Sequence, residues 1–127
     1  MKREPTLLVV DDDVGVRRFI VRSLKDNGFR VIEAAEAAEG LEILRTEAGA
    51  IDLVITDVVM PRMGGLDLAA ELDRCYPDLK ILYISGYTDS IAIAGIAQRA
   101  PHLVLLKPFT KEMLLDSVRR LCSRVEE

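Results

Sequence analysis

The sequence predicts one α/β domain in which a doubly wound parallel sheet carries helices on both faces. Three observations predict it. Short apolar runs alternate with segments of helical period along all 127 residues, and strands alternating with helices at this spacing build parallel sheets. The apolar runs are nearly continuous, as strands buried on both faces require. The length holds one core, at about 100–200 residues per domain.

The elements follow in order. Thr6–Val10 (TLLVV) reads as a buried strand. Val14–Asn27 sets Val14, Arg17, Arg18, Val21 and Leu24 at helical spacing, and Gly28 ends it as a C-terminal cap. Arg30–Ala34 is a second strand, the one polar enough to suggest a sheet edge. Glu36–Glu47 is a helix around Ala37, Leu41 and Leu44, and Ile51–Thr56 is the third strand. Gly64 and Gly65 open a helix through Leu66–Cys75, with Pro77 just beyond its end. Lys80–Ile84 is the fourth strand. Thr88–Arg99 is an alanine-rich helix interrupted by Gly95, with few large anchors. His102–Leu106 is the fifth strand, with His102 read as structural. Thr110–Arg124 is strongly amphipathic, with Met113, Leu114, Val118, Leu121, Cys122 and Val125 on one side.

Composition excludes several function classes. Hydrophobic residues make up 50% and charged residues 30%, which excludes intrinsic disorder. Against 21 Asp and Glu there are 17 Lys and Arg, a net charge of −4, so nucleic acid is not an expected direct partner. Cys75 and Cys122 have no metal or disulfide spacing and are expected as buried apolar residues of a reduced protein. The apolar run after the basic Met1-Lys2-Arg3 is four residues long, too short for a signal peptide. No apolar stretch nears the ~18 residues of a membrane span. The expected location is the cytoplasm, with no membrane contact.

Four strands run into residues suited to phosphoryl chemistry. The first meets Asp11, Asp12 and Asp13; the third meets Asp57; the fourth, Ser85; the fifth, Lys107 followed by Pro108. Ligands of open α/β sheets bind outside the carboxyl ends of the strands, so a parallel sheet delivers all four to one edge. Gathered carboxylates repel one another, and an oxygen-ligated Mg²⁺ relieves the repulsion. Such an ion can offset charge on a phosphoryl oxygen, Lys107 can pair with a second, and Ser85 can donate to a third. Asp57 is then a carboxylate nucleophile able to form an aspartyl phosphate. Singly these residues have plainer readings: Asp13 as a helix cap, Asp57 and Ser85 as turn residues, Lys107 in a surface loop. The pairs Arg17–Arg18 and Arg119–Arg120 read as solvated helix faces.

The chain resembles, along essentially its whole length of residues 1–127, the receiver domain of two-component response regulators. The matching stretches are Val9-Val10-Asp11-Asp12-Asp13, Thr56 through Gly65, Ile84-Ser85-Gly86-Tyr87-Thr88-Asp89, and Leu106-Lys107-Pro108-Phe109. Their wording looks most like receivers of hybrid histidine kinases or their stand-alone relatives. The resemblance implies a flavodoxin-like (βα)5 sheet in the order 2-1-3-4-5. It implies Asp57 as phosphoacceptor, Asp12 as direct Mg²⁺ ligand, Asp11 as a water-mediated one, and the main-chain carbonyl of Val59 as a further ligand beside Asp57. It implies Ser85 as switch hydroxyl and Lys107 as phosphoryl-binding lysine. The phosphodonor would be a histidine kinase or a histidine phosphotransfer protein. A downstream protein would bind the face made by helix 88–99, the fifth strand and the last helix. Such a domain catalyses only its own phosphorylation and dephosphorylation. Two positions depart from the family pattern: Val104 stands where a switching aromatic is common, and Val59 where a polar residue is common. The alternatives are a haloacid-dehalogenase-type phosphohydrolase, which would leave Asp57 without a task, and a non-phosphorylated interaction module.

Overall fold

A computed structural model describes residues 4–86 and 103–122. In chain order its elements are β1 (Thr6–Val10), α1 (Val14–Lys25), β2 (Arg30–Ala34), α2 (Ala37–Glu47), a single 3-10 turn (Ala48–Ala50), β3 (Leu53–Asp57), α3 (Gly65–Cys75), β4 (Lys80–Ser85), β5 (Val104–Leu106) and α4 (Lys111–Cys122). The helix expected over Thr88–Arg99 and the strand start at His102 lie outside the described residues.

The five strands are parallel and lie in the order β2-β1-β3-β4-β5, as expected. Strand alternation divides the core between two layers. Leu7 and Val9 of β1 pack with Ile20 and Leu24 of α1 and with Leu114, Val118 and Leu121 of α4. Leu8 and Val10 of the same strand face the other way, against Leu44 of α2 and Leu68 and Leu72 of α3. A one-residue slip of β1 would exchange the two layers, so the register is fixed by burial on both sides.

Boundaries follow local chemistry. Asp13 caps α1, its Oδ1 accepting from the Val16 amide at 3.0 Å. The helix ends at Lys25, two residues earlier than its periodicity suggests, and Gly28 takes φ +90° in the turn that follows, a conformation that favours glycine. β3 begins at Leu53 because Asp52 is occupied with β1: its Oδ2 accepts from the Thr6 amide at 2.8 Å. Thr110 caps α4, accepting from the Met113 amide at 3.1 Å; Met113, expected on the apolar side of this helix, is exposed in its first turn.

Two further expectations need correction. Cys75 is exposed, while Cys122 is buried. Cys75 is the last residue of α3, in line with its buried Leu68 and Leu72 but at the helix end, and Tyr76 and Leu79 of the following turn pack on the core beyond it. β5 is the second edge strand, as the expected order requires, and Leu106 is exposed there. Arg17 is not a solvated residue: its side chain is only 15% exposed and faces β2.

Candidate functional site

The carboxyl ends of β1, β3, β4 and β5 meet at one edge of the sheet. Val10, the last residue of β1, is in register with Thr56, and Asp57 at the end of β3 is in register with Ile84 of β4. Ser85 pairs with Leu106, so Lys107 follows directly beside it, and the Lys107 amide donates to the Ser85 carbonyl at 2.8 Å. The Lys107–Pro108 peptide is cis.

Asp11, Asp12 and Asp57 form one cluster, each offering a carboxylate oxygen within 4.8 Å of the others. Asp11 and Asp57 are buried and Asp12 is exposed. Lys107 Nζ lies 3.1 Å from Asp57 Oδ2. Asp57 Oδ1 accepts from the Val59 amide at 3.3 Å. Val59 itself is 60% exposed at the mouth of the site. Ser85 is fully buried, its hydroxyl donating to the Gly86 carbonyl at 3.3 Å. The sequence-derived candidates Asp11, Asp12, Asp57, Val59, Ser85 and Lys107 thus all stand at this edge.

Burial pushes the Asp11 carboxyl up from 3.8 to about 6. The Asp13 amide, donating to Asp11 Oδ1 at 2.9 Å, opposes the rise, as does the Lys107 charge, while the Asp57 and Asp12 charges add to it. Asp11 Oδ2 is buried and, among the described residues, has no hydrogen-bond partner. A buried oxygen without a donor is costly. It faces a group of carboxylates, so what would satisfy it is a cation or a water bound to one. The donor set, oxygen alone and mostly carboxylate, suits Mg²⁺.

The loop carrying Asp57 is locked by close backbone packing. The Gly65 amide donates to the Val58 carbonyl at 2.8 Å, and the Val58 amide to the Ile84 carbonyl at 3.0 Å. A Cβ on Gly65 would overlap the carbonyl of Asp57. The two glycines read from the sequence as a helix start are therefore also what lets α3 approach the back of Asp57.

Sequence reasoning missed Arg17. Its Nη1 donates to the Asp11 main-chain carbonyl at 2.8 Å and its Nε to Glu33 Oε1 at 3.0 Å. The signal was available: helical side chains lean toward the helix N-terminus, so a residue in the first turn of α1 reaches back over the Asp11–Asp13 turn.

The chain belongs to the response regulator receiver domain family, whose family model matches residues 7–119. Among its relatives is the sensor kinase CckA of Brucella abortus, 37% identical over 119 residues, which cover 94% of this chain and 13% of the kinase. Another is the response regulator receiver protein CpdR of the same organism, 35% identical over 123 residues, covering 95% of this chain and 97% of the relative. A crystal structure of a response regulator receiver domain protein from Clostridium thermocellum matches with a TM-score of 0.87 at 28% identity, covering 94% of this chain and 95% of that one. The expected likeness to receivers inside kinases and to separate receivers is thus found in both forms. Receiver domains are signalling modules of two-component systems, not classical enzymes. No helix among the described residues is long and apolar enough to cross a membrane.

Proposed function

We propose that this receiver takes a phosphoryl group onto Asp57 from the phosphohistidine of a histidine kinase or histidine phosphotransfer protein in the cytoplasm. The observation that carries the reading is Lys107 Nζ at 3.1 Å from Asp57 inside the cluster of three carboxylates. An Asp57 carboxylate oxygen attacks phosphorus, the new O–P bond forms as the P–N bond breaks, and the electron pair of that bond stays on the imidazole. Lys107 then holds a phosphoryl oxygen as a point charge. Ser85 leaves the Gly86 carbonyl and donates its hydroxyl to another phosphoryl oxygen, shifting its loop between two arrangements. Asp12 directly, Asp11 through water, the Val59 carbonyl and Asp57 would hold Mg²⁺, which neutralises phosphoryl charge when bound. The output passes to a downstream protein through the side of the domain that carries β5 and α4.

The test uses acetyl phosphate and Mg²⁺ with intact mass as readout. One phosphoryl group should add to the parent and none to Asp57→Asn, while Asp12→Asn should react slowly. Incorporation that survives Asp57→Asn would overturn the assignment. Steady release of phosphate from a phosphomonoester would favour the phosphohydrolase reading instead.

A further inference from the structure

We infer that Arg17 is a positioning residue for divalent-cation binding: it orients the Asp11–Asp12 peptide, and through it the exposed Asp12 carboxylate. The inference rests on the Mg²⁺ reading above. Asp12 is exposed and sits on a turn, so the direction of its carboxylate is set by the backbone that carries it. That backbone is pinned at Asp11 from two sides. The Asp11 amide donates to the Ala34 carbonyl of β2 at 3.2 Å. The Asp11 carbonyl, one end of the peptide that leads into Asp12, accepts from Arg17 Nη1 at 2.8 Å. Arg17 is held in turn by Glu33 on β2, at 3.0 Å from Nε. Its own amide donates to the Asp13 carbonyl at 2.9 Å. One planar guanidinium therefore joins α1, the end of β2 and the acidic turn.

The fork matters because it makes two bonds at a fixed angle, which a lysine ammonium cannot reproduce. The guanidinium also bonds the main chain and not the carboxylates, so Asp11 Oδ2 and the Asp12 carboxylate are not taken up by it. Groups that orient ligands without touching the metal typically change affinity by ~10–100-fold.

Two roles for Arg17 predict opposite signs. If it acts only as a charge, it repels a bound cation, and its removal should tighten Mg²⁺ binding. If it positions Asp12, its removal should weaken binding. The experiment is Mg²⁺ titration by calorimetry on the parent, Arg17→Ala, Arg17→Lys and Glu33→Gln, with thermal midpoints in metal-free buffer. Arg17→Ala should raise the Mg²⁺ Kd about tenfold, with Arg17→Lys and Glu33→Gln between it and the parent. Phosphorylation by acetyl phosphate should need more Mg²⁺ for half-saturation yet reach the parent's maximal rate. An unchanged or lower Kd in Arg17→Ala, whatever its thermal midpoint, would overturn the inference. Should Arg17→Ala fail to fold, Arg17→Lys decides instead: it keeps the charge and loses the fork, so a charge-only role predicts the parent's Kd and positioning a raised one. A parent that binds no Mg²⁺ would instead sink the metal reading itself.

Discussion

Asp11 is the residue at which the fold works against itself. Its carboxyl is about 6 in the fold against an ordinary 3.8, chiefly because it is buried. The folded, metal-free protein therefore keeps a proton that the unfolded chain has already lost. Asp11's penalty on stability is absent below about pH 4, grows between pH 4 and 6, and is complete above that, at roughly 3 kcal/mol. Metal-free Asp11→Asn should thus be more stable than the parent at pH 7.5 and equal to it near pH 4. Urea unfolding at both pH values checks this, and a difference between the two proteins that does not change with pH would count against it. The same proton competes with the metal, so Mg²⁺ affinity should fall about tenfold per unit below pH 6. Asp57, Ser85 and Lys107 were legible as a group because each ends an apolar strand, and strand ends in a parallel sheet share an edge. Arg17 was missed although its place in the first turn of α1 was a signal, because adjacent arginines read as a wet face until the neighbouring strand is placed beside them. Cys75 misled for the opposite reason: its helical spacing is that of the core, but the helix runs out beneath it.

At the scale of elements, the start of α3 is fixed by the site. Its first residue, Gly65, sits against the carbonyl of Asp57 with no room for a methyl group. Gly65→Ala must push either α3 outward or the Asp57 loop inward. Overpacking of this kind costs ~1–3 kcal/mol. Because the displaced atoms belong to Asp57, phosphorylation by acetyl phosphate should fall along with the urea midpoint. A variant that loses stability yet keeps the parent's phosphorylation rate would show that the strain is relieved in α3 alone. The sequence marks this pair of glycines as a helix start, which is correct, but the backbone that faces them is known only once β3 and α3 are packed. The edge character of β5 follows from the family's strand order and not from its own composition. Its residues are apolar, and only the strand order leaves Leu106 without a covering layer among the described residues.

At the scale of the whole molecule, fold and site depend on each other through linkage. A cation that binds only the folded form stabilises it by RT ln(1 + [L]/Kd). Millimolar Mg²⁺ should therefore raise the parent's thermal midpoint, and should leave that of Asp12→Asn nearly unchanged. Equal shifts in the two proteins would mean that the ion acts elsewhere. The sheet order was legible through the family resemblance and the strand lengths through apolar runs; the side-chain bonds that tie neighbouring strand starts, such as Thr6 to Asp52 at the amino edge, were not.

Lys107 and Asp57 lie 50 residues apart in sequence and meet only when β3, β4 and β5 are side by side. On the proposed phosphorylation of Asp57, an unfolded copy has neither Lys107 beside Asp57 nor the carboxylate cluster, so it should take up no phosphoryl group. In a cell under heat or acid stress, where part of the population is unfolded and awaits chaperones or proteases, phosphoryl groups would go to the intact copies alone. On that proposal the phosphorylated fraction would count folded molecules rather than all those synthesised.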